Sequence, residues 1–121
     1  MSLEMIGFEQ NNKNKYTVPS VVFSSLGIIN FTVSLVSMAD MEDWKYVSIW
    51  YDKYSREIRF RKEEVLKRNV KAFRSRGKSK QLSAKTFIDK EMIEPNAYEC
   101  IYDVVSKEII TTLKVKKEVE V

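Results

Sequence analysis

The chain has 121 residues with a net charge of +4, a length that suits one domain able to bury roughly two thirds of its unfolded surface. Hydrophobic residues make up 44% and aromatics 12%, enough for a packed core. No apolar run nears the roughly 18 residues of a membrane span, and the N-terminus lacks the basic-then-apolar order of a signal peptide, so the expectation is a soluble, cytoplasmic protein with no membrane partner. Histidine is absent, which removes the commonest general base and metal ligand, and the three glycines form no phosphate loop, so neither enzyme, metal nor cofactor is expected. The one cysteine, Cys100, excludes an internal disulfide and sits in an apolar strand run, as a buried, inert thiol does.

In chain order, residues 1–15 are polar and aperiodic (Gln10-Asn11-Asn12-Lys13-Asn14-Lys15) and read as a flexible arm. Tyr16 to Val22 reads as an extended segment, with Pro19 barring a central-strand position. Ser24 to Gly27 reads as a turn, Ile28 to Phe31 as a strand, and Thr32 as the N-cap of a short helix whose Leu35, Val36 and Ala39 share a face, with Ser34, Ser37 and Met41 around the back. The next strand places Val47, Ile49 and Tyr51 on one side and Tyr46, Ser48 and Trp50 on the other. A turn holding Asp52 and Ser55 leads into Ile58-Arg59-Phe60-Arg61, apolar inward and arginine outward. Residues 62–69 form a charged connector with a helical turn expected around Val65-Leu66.

From Val70 the pattern starts again. Tyr102-Asp103-Val104-Val105-Ser106-Lys107-Glu108-Ile109 repeats Tyr51-Asp52-Lys53-Tyr54-Ser55-Arg56-Glu57-Ile58, matching Tyr, Asp, Ser, Glu and Ile. At the same offset Met41 falls on Met92, Asp40 on Glu91 and Asn30 on Gln81; with one gap, Phe23, Ser25 and Gly27 fall on Phe73, Ser75 and Gly77. Ser83 is then the expected cap of the second helix, where Phe87, Ile88 and Glu91/Met92 lie at helical spacing. Each copy reads strand, glycine turn, strand, short helix, strand, Asp-Ser hairpin, strand. One copy is too small to cover its own apolar faces, whereas two wrapped together can close a barrel. The expected organisation is an arm (1–15), one domain over 16–115 made of two repeats (about 16–61 and 70–115) joined by a basic connector, and an alternating-charge tail (116–121).

That element order, with Ser25-Leu26-Gly27-Ile28-Ile29-Asn30-Phe31-Thr32, Lys45-Tyr46-Val47-Ser48-Ile49-Trp50-Tyr51-Asp52 and Ile58-Arg59-Phe60, resembles the AbrB-type swapped-hairpin family. The tandem arrangement over roughly Val21 to Leu113 is similar to the MraZ form of it. The resemblance implies a mainly β (α+β) fold, a pseudo-twofold swapped-hairpin β-barrel of two strand-strand-helix-strand-strand repeats, and a small transcriptional regulator that binds double-stranded DNA. Copy one departs from the family pattern: Ile28 follows Gly27, no proline precedes the helix, and the helix holds no Arg or Lys. Copy two, with Arg74, Arg76, Lys78, Lys85 and Lys90, would carry most of the DNA binding together with the connector, and half-site symmetry would require a homodimer.

Charge distribution points the same way. Between Arg59 and Lys80 ten lysines and arginines face two glutamates, a local charge of +8, leaving −4 for the rest. The expected nucleic-acid-binding residues are Arg59 and Arg61 on an exposed strand face, Lys71, the alternating Arg74, Arg76, Lys78 and Lys80 projecting together from a hairpin, and Lys85. Two other readings are carried by particular residues. Trp44, Tyr46, Trp50 and Tyr54 fit a stacking platform for single-stranded DNA, and a tail at 114–121 or the N-terminal arm fits an antitoxin-like or mobile-element module that grips a protein partner. Asp52 and Asp103 resemble a carboxylate pair but sit in turn signals, where their expected role is structural.

Overall fold

The structure, a computed structural model, describes residues 18–113; the polar arm, Tyr16, Thr17 and the tail from Lys114 lie outside the described residues. Strand β1 (Ser20–Phe23) starts directly after Pro19, which has no amide to donate but whose carbonyl accepts from the Cys100 amide at 2.9 Å. Next come β2 (Ile28–Phe31), helix α1 (Val33–Met38), a 3-10 turn (Met41–Asp43), β3 (Tyr46–Asp52) and β4 (Glu57–Glu63). The later half holds β5 (Lys71–Ala72), β6 (Arg74–Arg76), β7 (Ser79–Ser83), α2 (Lys85–Lys90), β8 (Asn96–Asp103) and β9 (Glu108–Thr112).

All pairings are antiparallel, in the order β5-β3-β4-β9-β8-β1-β2-β7-β6. The two ends of this order, β5 and β6, are separated in the chain only by Phe73, so one bent stretch reaches both margins and leaves a nearly closed, barrel-like sheet. Among the described residues the fold is thus mainly β with two short helices, neither long and apolar enough to cross a membrane. Exchanging β1, β2, β3 and β4 for β5/β6, β7, β8 and β9 leaves the list of neighbouring strands unchanged.

Alternation along the strands sends Val21, Phe23, Ile29, Phe31, Val47, Ile58, Phe60, Leu82 and Ile109 inward, each at most 1% exposed. Phe31 sits between halves, its ring edge-on to Phe60 at 4.9 Å and to Phe73 at 5.1 Å. Cys100 is buried too, and burial pushes its thiol up to about 12, which leaves it protonated at neutral pH.

The repeated turns match atom for atom in their bonding. Asp52 Oδ1 accepts from the amides of Tyr54 and Ser55, and Asp103 Oδ1 from those of Val105 and Ser106. Arg56 and Lys107 close the two turns at a φ of 60° each, so both aspartates do turn work. Backbone amides, those of Ser106 first and Val105 next, hold the Asp103 carboxyl below its ordinary value.

Four expectations need correction. Thr32 caps α1, accepting from the Leu35 amide at 3.4 Å, but the N-cap of α2 is Ala84, and Ser83 instead ends β7. Met41 is fully buried because α1 stops at Met38 and the chain reverses at Asp40 (φ 53°). The left-handed residue at the matching place is Met92 (φ 53°), which is exposed, so Asp40 answers to Met92 and buried Met41 to buried Ile93. The connector has no helical turn; it bends and closes a turn in which the Val70 amide donates to the Lys67 carbonyl, with Asn69 left-handed at φ 67°.

Candidate nucleic-acid interface

The eight cations singled out in the sequence go to three different places. Arg59 and Arg61, two apart on β4, share its outer face, and Arg61 lies directly across from Glu108 on β9. Arg59 bonds Glu57 at 2.5 Å and Glu108 at 2.9 Å, while Arg61 Nε bonds Glu108 at 2.6 Å. Glu108 is only 3% exposed beneath them. Burial alone would raise its carboxyl, but the hydrogen bonds and charges of Arg59 and Arg61 outweigh that and hold it below the usual carboxylate range. Arg59 is raised in turn, by Glu57 first and then Glu108. Arg61 also stacks on the Trp50 ring at 4.6 Å, and Trp50 Nε1 donates to Ser48 Oγ, which donates to Glu63. These arginines point outward as expected, yet their charge is already matched.

Lys80 is the second departure. The β6–β7 hairpin has a two-residue loop, Gly77-Lys78, with Gly77 at φ 63° and Ser79 Oγ donating to the Arg76 carbonyl at 2.8 Å. Crossing such a loop shifts the parity of the side chains. Arg74 and Arg76 face with Gln81 and Ser79, whereas Lys80 faces with Ser75. Lys80 therefore turns under the hairpin, over the Phe73 ring at 5.5 Å, and donates to the Trp44 carbonyl at 3.1 Å. It holds the hairpin down and does not project with the other three.

Arg74, Arg76 and Lys78 remain at the exposed hairpin, and none of them forms an ion pair among the described residues. Arg74 makes only a long contact to Ser83 Oγ, 3.4 Å. A Cβ at Gly77 would meet nothing within 4 Å, and the tip borders a cleft whose other wall is α1 with Asp40 and Glu42.

Lys71 and Lys85 lie elsewhere, on the rim of a cleft between β3, the turn at 67–70 and the start of α2. Lys85 pairs with Asp89 one helical turn on, at 3.0 Å. Of the aromatics, Trp44 is buried in the core and cannot stack on a ligand, whereas Trp50 is half-exposed on the cleft and Tyr54 projects freely from its turn. Sequence reasoning missed Glu108 as the clamp on the β4 arginines. Its one signal was the repeat itself, which matches Glu108 with Glu57, the other carboxylate on Arg59. No family model matches the chain, nor does any curated protein or solved structure.

Proposed function

We propose that this protein binds nucleic acid, as a small AbrB-like double-stranded DNA-binding regulator that grips the duplex with the β6–β7 hairpin. The observation that carries the reading is the tip itself: Arg74 and Arg76 on one face, Lys78 in the loop, all exposed and none in an ion pair among the described residues, although Lys78 shares a cleft with Asp40 and Glu42. Long, clustered cations on a narrow projecting hairpin suit phosphate contacts, and a β-ribbon is slender enough to enter a major groove, where arginine can pair with guanine. Local charge supports this too, since residues 74–78 hold three cations and no carboxylate.

The fold belongs to the same proposal. We read the chain as two tandem copies of a swapped-hairpin unit related by a pseudo-twofold. The unchanged strand order on exchange of halves, the paired Asp turns and the contacts of β1 with β8 and β2 with β7 support it. The copies are unequal in charge, so an operator with two equal half-sites would be met by two chains.

The test is fluorescence anisotropy with a mixed-sequence duplex at two salt concentrations. Affinity should fall steeply with salt, and the variant R74A/R76A/K78A should lose at least about tenfold, with the salt slope reduced by roughly 2–3. Its melting temperature should stay that of the native chain. Unchanged affinity in a folded triple variant would overturn the assignment.

A further inference from the structure

The cleft that takes up Lys71 and Lys85 has a volume of about 1050 Å³, just above the roughly 300–1,000 Å³ range of small-molecule sites. Six cationic side chains line it (Lys53, Lys67, Arg68, Lys71, Lys85 and Lys90) against two carboxylates, Glu63 and Glu91. Both carboxylates are partly covered, and Glu63 already accepts from Ser48. The six cations come from four separate stretches of chain: the β3–β4 turn, the connector turn, β5 and α2. Only the closing of the sheet brings them round one hollow.

The cleft wraps the edge of β3 that β5 leaves unpaired beyond Val47, so aromatics border it from both faces of that strand. On one face Tyr51 packs edge-on to Phe87 at 5.5 Å; on the other Trp50 lines the cleft with half its surface open. Two contacts hold Trp50 in place: its Nε1 is bonded to Ser48, and Arg61 stacks on its ring. A held, half-open indole on a cleft lined by six cations has the two elements that an unpaired nucleotide strand needs, a π-surface for a base and charge for the flanking phosphates. A duplex cannot use the indole, because its bases are already stacked and paired. The hairpin tip has the opposite character, projecting and without an exposed aromatic side chain.

We infer that the cleft is a second site, for single-stranded nucleic acid, with a base on Trp50 and the phosphate backbone along Lys67, Arg68, Lys71 and Lys90. It does not rest on the duplex reading, since Arg76 and Lys78 take no part in it. The cleft's size and its spread of cations favour a strand of several nucleotides over one free nucleotide.

The experiment uses the full chain, labelled (dT)12 and a mixed-sequence duplex, followed by anisotropy and by tryptophan emission. (dT)12 should quench emission, and Trp50→Ala should abolish the quenching, because Trp44 is buried. The rim variant K67A/R68A/K90A, made of exposed side chains, should weaken (dT)12 binding at least about tenfold and move duplex binding less than about threefold. R76A/K78A should do the reverse. Native-strength (dT)12 binding by the folded rim variant overturns the site. So does equal loss of (dT)12 by the hairpin variant, or an absence of quenching in the native chain. If dTMP saturates at the same concentration as (dT)12, the cleft is a nucleotide pocket and the strand proposal falls.

Discussion

Each half puts a left-handed glycine in its first turn, but Gly27 ends a longer turn closed on Ser24 whereas Gly77 opens a two-residue loop, and the two are used differently. Gly27 (φ 84°) lies buried against the start of α2: a Cβ there would come within 2.5 Å of Lys85 Cβ, and its carbonyl accepts from the Ala84 amide at 2.8 Å. Gly77 (φ 63°) has nothing within 4 Å of the same point. The arginines divide in the same way, Arg59 and Arg61 closed over Glu108, Arg74 and Arg76 open to solvent. So do the expected caps, since Thr32 receives the amides of Leu35 and Ser20 while Ser83 caps nothing. Gly27, Arg59, Arg61 and Thr32 are tied into contacts between elements, whereas Gly77, Arg74 and Arg76 stand at an exposed hairpin.

Substitutions made in contrasting pairs would break or sharpen this contrast. Gly27→Ala combines a left-handed backbone with a clash against the Lys85 backbone, so it should cost about 3 kcal/mol, whereas Gly77→Ala should cost about 1 kcal/mol. Urea denaturation with an unchanged m-value would read the difference, and equal losses would erase it. Arg61→Ala leaves Glu108 with half its partners. Because the guanidinium is partly exposed, the cost should be about 2 kcal/mol, short of a fully buried pair, against about 0.5 kcal/mol or less for Arg76→Ala. Thr32→Ala should lose about 1 kcal/mol in thermal melting, and Ser83→Ala only about 0.2 kcal/mol.

The smallest effect is on pH dependence. Glu108 has a folded pKa below its ordinary value of 4.5, so the stability it contributes is complete above about pH 4.5 and is lost as pH falls through the lower folded value. Glu108→Gln should therefore flatten the acid side of a stability profile below about pH 4.5 and leave its neutral limb sloping as before.

The elements were largely legible in the sequence because they rest on local signals. Period-2 alternation gave the inward Ile58 and Phe60, and the Asp-Ser turns carry their own hydrogen-bonding chemistry. What could not be read depends on neighbours distant in the chain. Glu108 lies 47 residues from Arg61, and nothing near Arg61 announces that its charge will be matched. Lys80 looked equivalent to Arg74 and Arg76 because alternation was carried across a two-residue loop that reverses it. The cleft was invisible for a related reason, since Lys53 and Lys90 border the same hollow only once β3 and α2 have met.

Closure by one bent stretch also bears on how the chain is made. Along four seams (β1–β8, β2–β7, β3–β5 and β4–β9) an early strand is joined to a late one. On the ribosome β1, β2 and β4 would each wait for a neighbour encoded downstream, for on the order of several seconds at ordinary rates of synthesis. During that interval Phe23, Phe31 and Phe60 lack their cover, and the nascent half offers unpaired β-edges to any other chain. A slow, all-at-once folding step follows from that layout, together with an early dependence on chaperones that a sheet of purely local hairpins would escape.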